Sequence, residues 1–141
     1  MVERLRRSQA YVPELALVAH IGDQLAGHIM LTRIKIRHEQ DHSESLSLAP
    51  LSVGPAFQRK GVGRALIEGA HQRARALHFA SVIIVGISGY YDRFGYRPLN
   101  AYPIHLPFEV HPDNCVAIAL LPSGLEGVKG TVEYAPEWME T

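Results

Sequence analysis

The sequence predicts a mixed α/β (α+β) fold: a twisted, mostly antiparallel sheet opened by one parallel crossover, with helices on both faces. Three observations predict it. Leu46 to Val53 reads as a buried strand closed by Gly54 and Pro55, a helical pattern follows the glycines at 61 and 63, and Phe79 to Val85 is short, β-branched and almost wholly apolar. That order of strand, glycine turn, helix and strand is the signature of a parallel crossover. Upstream, Leu15 to His20 and Leu25 to Arg37 flank a turn around Gly22 and Asp23, as the arms of a hairpin do. The 141 residues suffice for one domain, 1–141, to bury a core without disulfides or a structural metal.

Each element follows in turn. Val2 to Gln9 reads as the tail of a helix with Val2 and Leu5 as its apolar pair, so the chain is expected to begin in mid-element. His38 to Ser45 is polar and acidic, as a loop would be. Val62, Leu66, Ala70, Ala74 and Leu77 recur at helical spacing, which predicts a helix from about Val62 to about His78. After Phe79–Val85, Gly86 to Gly89 loosens the chain and Tyr90 to Phe94 predicts one short helix stopped at Gly95. Phe108 to Val110, Cys115 to Leu121 and Gly130 to Tyr134 are strand candidates separated by turns containing Pro112, Asp113, Asn114, Pro122, Ser123 and Gly124.

Composition narrows the class. Fourteen Lys and Arg balance fourteen Asp and Glu, which argues against a general nucleic-acid binder or a membrane-surface binder. Arg4, Arg6 and Arg7 precede a segment broken by Pro13, Glu14, His20 and Asp23, which is unlike a signal peptide, and no run approaches membrane-spanning length. The single cysteine, Cys115, allows no internal disulfide and is expected as a small buried hydrophobe in a cytoplasmic protein.

The basic residues are concentrated where they count. Gln58, Arg59, Lys60, Gly61, Val62, Gly63 and Arg64 sit at the strand-to-helix junction and include no acid. A helix start offers main-chain N–H groups at the positive end of its dipole, so an anion is expected there. Two other phosphate-binding patterns fail on detail. A nucleoside-triphosphatase loop needs Lys then Ser or Thr after its last glycine, where Arg64 and Ala65 stand. A dinucleotide fold needs a third glycine at Leu66 and an acid after the next strand, where Val85 and Gly86 stand. A tight surface turn would explain the two glycines alone, but a second signature follows the crossover strand: Gly89, Tyr90, Tyr91, Asp92, Arg93, Phe94, Gly95, Tyr96.

Gln58, Gly61 and Gly63 resemble the coenzyme A signature of the GNAT superfamily of acyl-CoA N-acyltransferases. Leu51, Ser52 and Val53 with Gly54 and Pro55 resemble the end of its fourth strand, and Tyr91 with Gly95 and Tyr96 resembles its tyrosine-bearing second motif. The run Tyr90 to Tyr96, and the tail with Val128, Gly130, Val132 and Tyr134, are similar to the bacterial YhbS-like branch. The resemblance implies a GNAT fold, N-terminally abbreviated because the usual first strand and helix have no counterpart here. It implies acetyl-CoA as cosubstrate and an amine on a small molecule or a protein as acceptor.

Carried over by position, Leu51, Ser52 and Val53 would line the pantetheine arm, while Gln58, Arg59, Lys60, Gly61, Val62, Gly63 and Arg64 would cradle the diphosphate. Ser88 would supply a hydrogen bond where many members place an Asn. Tyr91 would stand near the thioester sulfur as general acid, since a phenol with a reference pKa of about 10 is protonated at neutral pH. A backbone N–H on the strand ending at Val53 would hold the carbonyl oxygen. No general base stands out; Glu44, His38 and His42 are candidates in the polar segment, while His28 and His105 read as structural or surface residues. No Cys and His grouping has metal-ligand spacing, so no metal is expected. Two alternatives accompany the enzyme: an acyl-CoA-binding sensor or structural module without turnover, and a homodimer formed through an exposed sheet edge.

Overall fold

The computed structural model describes residues 6–86 and 89–136. Strands β1 (Tyr11–Ile21), β2 (Gln24–His38) and β3 (Asp41–Val53) precede helix α1 (Val62–Ala76), after which come β4 (Ser81–Val85), β5 (Arg97–Pro98), β6 (Ile104–His105), β7 (Cys115–Ala119) and β8 (Gly130–Glu133). They form one sheet in the order β5-β7-β4-β3-β2-β8-β6, with β1 also paired to β2. β1 takes the Gln24–Thr32 end of β2 and β8 takes Lys35–Arg37, so these two strands follow one another beside the longest strand. The expected crossover is present: β3 and β4 are parallel and joined through α1, while β4 and β7 are antiparallel.

Alternation assigns the two faces. Val82 and Ile84 join Ile29, Leu31 and Leu46 under α1, whereas Ile83, Ile34, Ile36, Ala117 and Val132 form a second cluster on the opposite face. α1 buries Val62, Leu66, Ile67, Ala70, His71 and Ala74. It ends through a reciprocal pair of main-chain bonds, His78 N–H to Arg75 and Phe79 N–H to Ala74, with His78 in the left-handed conformation.

Several expectations are corrected. His38–Ser45 is a hairpin, not a loop: His38 pairs with Asp41 across Glu39 and Gln40, and β3 continues through His42 and Glu44. β1 begins at Tyr11 and not at Leu15. α1 stops at Ala76, and Leu77, counted among its apolar positions, is 41% exposed. Phe108–Val110 is not a strand; Val110 packs on the second cluster and the Phe108 ring stacks on Tyr134. Helices do not cover both faces among the described residues. The face opposite α1 is covered by Leu99, Tyr102, Leu106, Leu125 and Val128 from irregular segments. The predicted helix tail Val2–Gln9 lies outside the described residues up to position 5. No helix among the described residues is long and apolar enough to cross a membrane.

Two local devices position the crossover. Ser45 donates to the Ser81 carbonyl at 3.2 Å and the two hydroxyls meet at 2.8 Å, a buried clamp between β3 and β4 at the start of their ladder. On β2, Gly27 lets α1 approach the sheet, because a Cβ there would lie 2.9 Å from the Ser52 carbonyl oxygen and 3.0 Å from both Val62 and Leu66 side chains. Gly27→Ala is therefore expected to lower the unfolding free energy by about 1–3 kcal/mol, the usual cost of overpacking, as read in a urea titration. An unchanged midpoint would show that α1 can shift without cost.

Behind α1, His71 Nε2 and the Tyr96 hydroxyl lie 2.7 Å apart, both residues buried. Burial, and secondarily the Arg75 charge, pull the His71 pKa from 6.5 down to about 4, with Glu68 opposing. A depressed folded pKa means that the unfolded chain binds the extra proton first. Stability from this group is whole above pH 6.5 and falls as pH drops toward 4, by about 3 kcal/mol in total. Half-buried His28, also lowered by burial, adds in the same direction. Unfolding titrations at pH 7 and pH 4.5 should show this loss, and His71→Gln should flatten it; an equally steep loss in that variant would remove His71 as its source.

Candidate active site

The start of α1 is built by backbone conformation. Arg59 and Gly61 both adopt positive φ, +65° and +81°, which curls the chain over the first turn of the helix. Gly61 is the N-cap and provides no side-chain cap, and the first turn holds no acid. Its leading N–H groups thus remain available to an outside acceptor. The two glycines have different reasons. A Cβ on Gly61 would meet nothing within 4 Å, so its backbone angle requires glycine, whereas a Cβ on Gly63 would lie 2.9 Å from the Tyr90 hydroxyl.

Beside this turn the sheet splits. Among the described residues the β3–β4 ladder pairs Leu46 with Val82 and Ser47 with Ile83, although β3 runs on to Val53 and β4 to Val85. Past the serine clamp, the two strands diverge into a wedge, and the β4-facing side of β3 offers main-chain groups to whatever enters it. Val53 and Leu51 form one wall of the groove at its mouth, the 58–64 turn forms its floor, and the segment from Tyr90 to Phe94 forms the other wall. The groove has a volume of about 770 Å³, within the range of small-molecule sites.

Most of the predicted residues meet here. Leu51, Val53, Gln58, Arg59, Gly61, Val62, Gly63, Arg64 and Tyr91 all line the groove. Ser52 does not: it pairs with His28 on the alternate face of β3 and is exposed. Lys60 does not either; its ammonium lies 5.9 Å from the Phe57 ring centroid. Ser88 lies outside the described residues. Glu44, His38 and His42 sit at the far end of the β2–β3 hairpin and none of them lines the groove. His105 is exposed on β6, and Cys115 is buried as a free thiol. Among the described residues, no three His, Cys, Asp or Glu side chains gather as a metal site would require.

Sequence reasoning missed Phe57, Tyr90, Arg93 and Phe94, which complete the lining. The run from Tyr90 to Phe94 was visible as a motif, but only the fold shows that it closes over the glycine turn. Arg93 stacks on the Tyr90 ring at 4.9 Å, so three arginines, at 59, 64 and 93, surround a groove whose lining, among the described residues, contains no Asp or Glu. Arg64 is shared with Glu68 one turn along α1 at 3.2 Å, an exposed pair that leaves its charge in solvent.

Tyr91 occupies the inner end. A Cβ on Gly86, just past β4, would come within 3.2 Å of the Tyr91 ring and 3.9 Å of its hydroxyl, which puts the phenol where the wedge opens. Burial, with a smaller contribution from Tyr90, pushes its pKa up, so the proton is retained at neutral pH. Its ring meets Tyr90 and Tyr96 edge-on at 5.0 and 5.7 Å. A second groove of about 550 Å³ between β1 and α1, lined by Leu17, Gly69 and Arg73 among others, carries no comparable set of polar groups.

Comparison with known proteins agrees with this geometry. The acetyltransferase (GNAT) domain family matches residues 13–98. The chain is 31% identical over 118 residues to the uncharacterized N-acetyltransferase YjhQ of Escherichia coli (strain K12), an alignment that covers 82% of this chain and 65% of YjhQ, so the chain spans just under two thirds of that relative. Its fold is similar to that of the GNAT family N-acetyltransferase YhbS from Escherichia coli, solved in complex with CoA, with a TM-score of 0.88 at 21% identity over 99% of this chain and 76% of that one. A GNAT family acetyltransferase from Brucella melitensis, solved in complex with acetyl-CoA, matches with a TM-score of 0.72 at 28% identity over 97% of this chain and 75% of that one. The glycine turn, the split sheet and the tyrosine at its apex thus belong to a recognised domain, and the chain is a member of the acetyltransferase (GNAT) family.

Proposed function

We propose that this chain is an acetyl-CoA-dependent N-acetyltransferase acting on a primary amine of a small molecule or a protein. The observation that carries the reading is the juxtaposition of an acid-free helix start, with a bare Gly63 at its second position, and a protonated phenol at the apex of the β3–β4 wedge. The structures of the similar YhbS and Brucella proteins hold CoA and acetyl-CoA, respectively, which supports the same ligand here. On this reading the diphosphate rests on the N–H groups at 62–64 under Arg59 and Arg64, and the pantetheine arm runs along Leu51–Val53.

Bound acetyl-CoA supplies an activated thioester carbonyl for attack by a neutral amine. The chain does the rest. Main-chain N–H groups on the unpaired side of β3 stabilise negative charge on the carbonyl oxygen, and Tyr91 gives its proton to the departing sulfur. The proton lost by the amine leaves through water, because no carboxylate or imidazole among the described residues lines the groove. Ser88 we retain as a hydrogen-bond donor to the cosubstrate, and Ser52 and Lys60 as peripheral to it.

That same absence of a base favours a second reading, an acyl-CoA-binding module without turnover. Steady thiol release over an amine panel supports the enzyme; binding without release supports the module. The buried free thiol of Cys115 fits a reducing, cytoplasmic compartment. The outer edge of β1, which pairs only with β2 and carries Val18 at 56% exposure, is the surface on which we place a homodimer, and light scattering reports it.

Two variants test the site. Gly63→Asp brings bulk and negative charge to the diphosphate position and should abolish acetyl-CoA binding in calorimetry while the melting temperature stays near wild type, since only the end of the Tyr90 side chain must yield. Wild-type affinity in that variant would refute the placement. Tyr91→Phe should lower kcat by roughly 10²-fold or more with little change in acetyl-CoA affinity. Unaltered turnover would remove the phenol from the chemistry.

A further inference from the structure

Tyr91 packs against the main core cluster and meets two rings, Tyr90 and Tyr96, edge-on. Of these, Tyr96 is itself anchored by the 2.7 Å hydrogen bond to His71. His71 lies on α1, whose first turn forms the floor of the groove, and is 5% exposed; Tyr96 is 4% exposed. The two rings are 5.5 Å apart at 43°, in contact as well as hydrogen-bonded. Gly95, at φ +98°, turns the chain between Tyr91 and Tyr96, whose rings meet at 5.7 Å. A packing function alone would be met by Phe at 96 and an aliphatic residue at 71. The buried polar pair adds geometry that apolar packing lacks, at the risk of an orphaned group if either partner is lost.

We infer that His71 and Tyr96 form a positioning pair that fixes the Tyr91 phenol relative to the glycine turn, so that the diphosphate anchor and the proton donor are held at a set separation. The inference rests on the proposed acetyl transfer for its kinetic consequence but not for its structural one. Neither residue lines the groove: Tyr96 meets the lining residue Tyr91, and His71 acts through Tyr96. Burial keeps the His71 ring neutral, so it meets the Tyr96 hydroxyl as a hydrogen-bond partner rather than as a charge.

Four variants separate positioning from stability. Tyr96→Phe and His71→Leu each orphan a buried polar group and should lower the melting temperature. The double variant removes both polar partners, and its melting temperature should recover toward wild type, because apolar replacement of both members of a buried pair is close to neutral. If the pair positions Tyr91, kcat stays reduced in the double variant by about tenfold, less than the 10² that a full ångström of misplacement costs, while KM for acetyl-CoA remains within about twofold of wild type. His71→Gln, whose amide reaches the Nε2 position, should restore most of the turnover. Wild-type kcat in the double variant overturns the inference.

A readout independent of activity accompanies the kinetics. In protein carrying ¹³C-labelled tyrosine, the Tyr91 ring signals, assigned by their loss in Tyr91→Phe, should shift or broaden in the double variant. If the wild type releases no thiol yet these signals move, the acetyl-transfer reading fails and the positioning pair stands. If they stay in place, the positioning pair fails whatever the turnover.

Discussion

The close approach of α1 to the sheet at Gly27 governs the rest of the molecule. With no side chain on β2 at that point, Val62 and Leu66 press against the strand and the helix start lies beside the end of β3. The first turn of α1 is thereby pinned at the mouth of the wedge that β3 and β4 leave open. Were the helix a methyl group further out, its N–H groups would face solvent and the groove would lose its floor. The serine clamp at 45 and 81 acts in concert, holding the two strands together where they must pair so that they part only beyond it.

Charge and polarity are distributed around that geometry with little redundancy. Among the described residues the outer groove has arginines and main-chain donors and no acid, which suits a polyanion, while the inner end has aromatic rings and the Tyr91 phenol, which suits an apolar arm with a reactive tip. The tyrosines are layered from solvent inward. Tyr90 touches Gly63, Tyr91 stands at the wedge, and Tyr96 is sealed against His71. Each ring meets the next edge-on, so the wall of the groove is backed by the core although it lies on a short turn and not on a long helix.

How much of this was legible in the sequence depends on the range of the interaction involved. The strand ending at Val53, the glycine turn, α1 and β4 were readable because each is specified by neighbours in sequence: apolar period, positive-φ glycine, β-branched run. The hairpin at His38–Asp41 was hidden on its β3 side, where Asp41–Ser45 is polar throughout and shows no apolar alternation, although its partner β2 alternates with Ile34 and Ile36 buried. Two-residue strands such as Arg97–Pro98 and Ile104–His105 exist only through their partners, β7 and β8. In the site, most of the motif positions meet at the groove, but Ser52 is carried to the other face by strand alternation and Lys60 lies over the Phe57 ring. The contributions of Tyr90, Arg93 and Gly27 come from contacts between residues far apart in sequence, which no local pattern reports.

The claim on which the others rest is that the main-chain donors opening α1 receive the diphosphate of a thioester carrier whose arm then follows β3 to Tyr91. A crystal structure of the protein with CoA tests this directly. The diphosphate should lie on the N–H groups of Val62, Gly63 and Arg64, with the sulfur within hydrogen-bond reach of the Tyr91 hydroxyl. A diphosphate bound elsewhere, or a Tyr90 hydroxyl still seated against Gly63 with CoA outside the wedge, would contradict it.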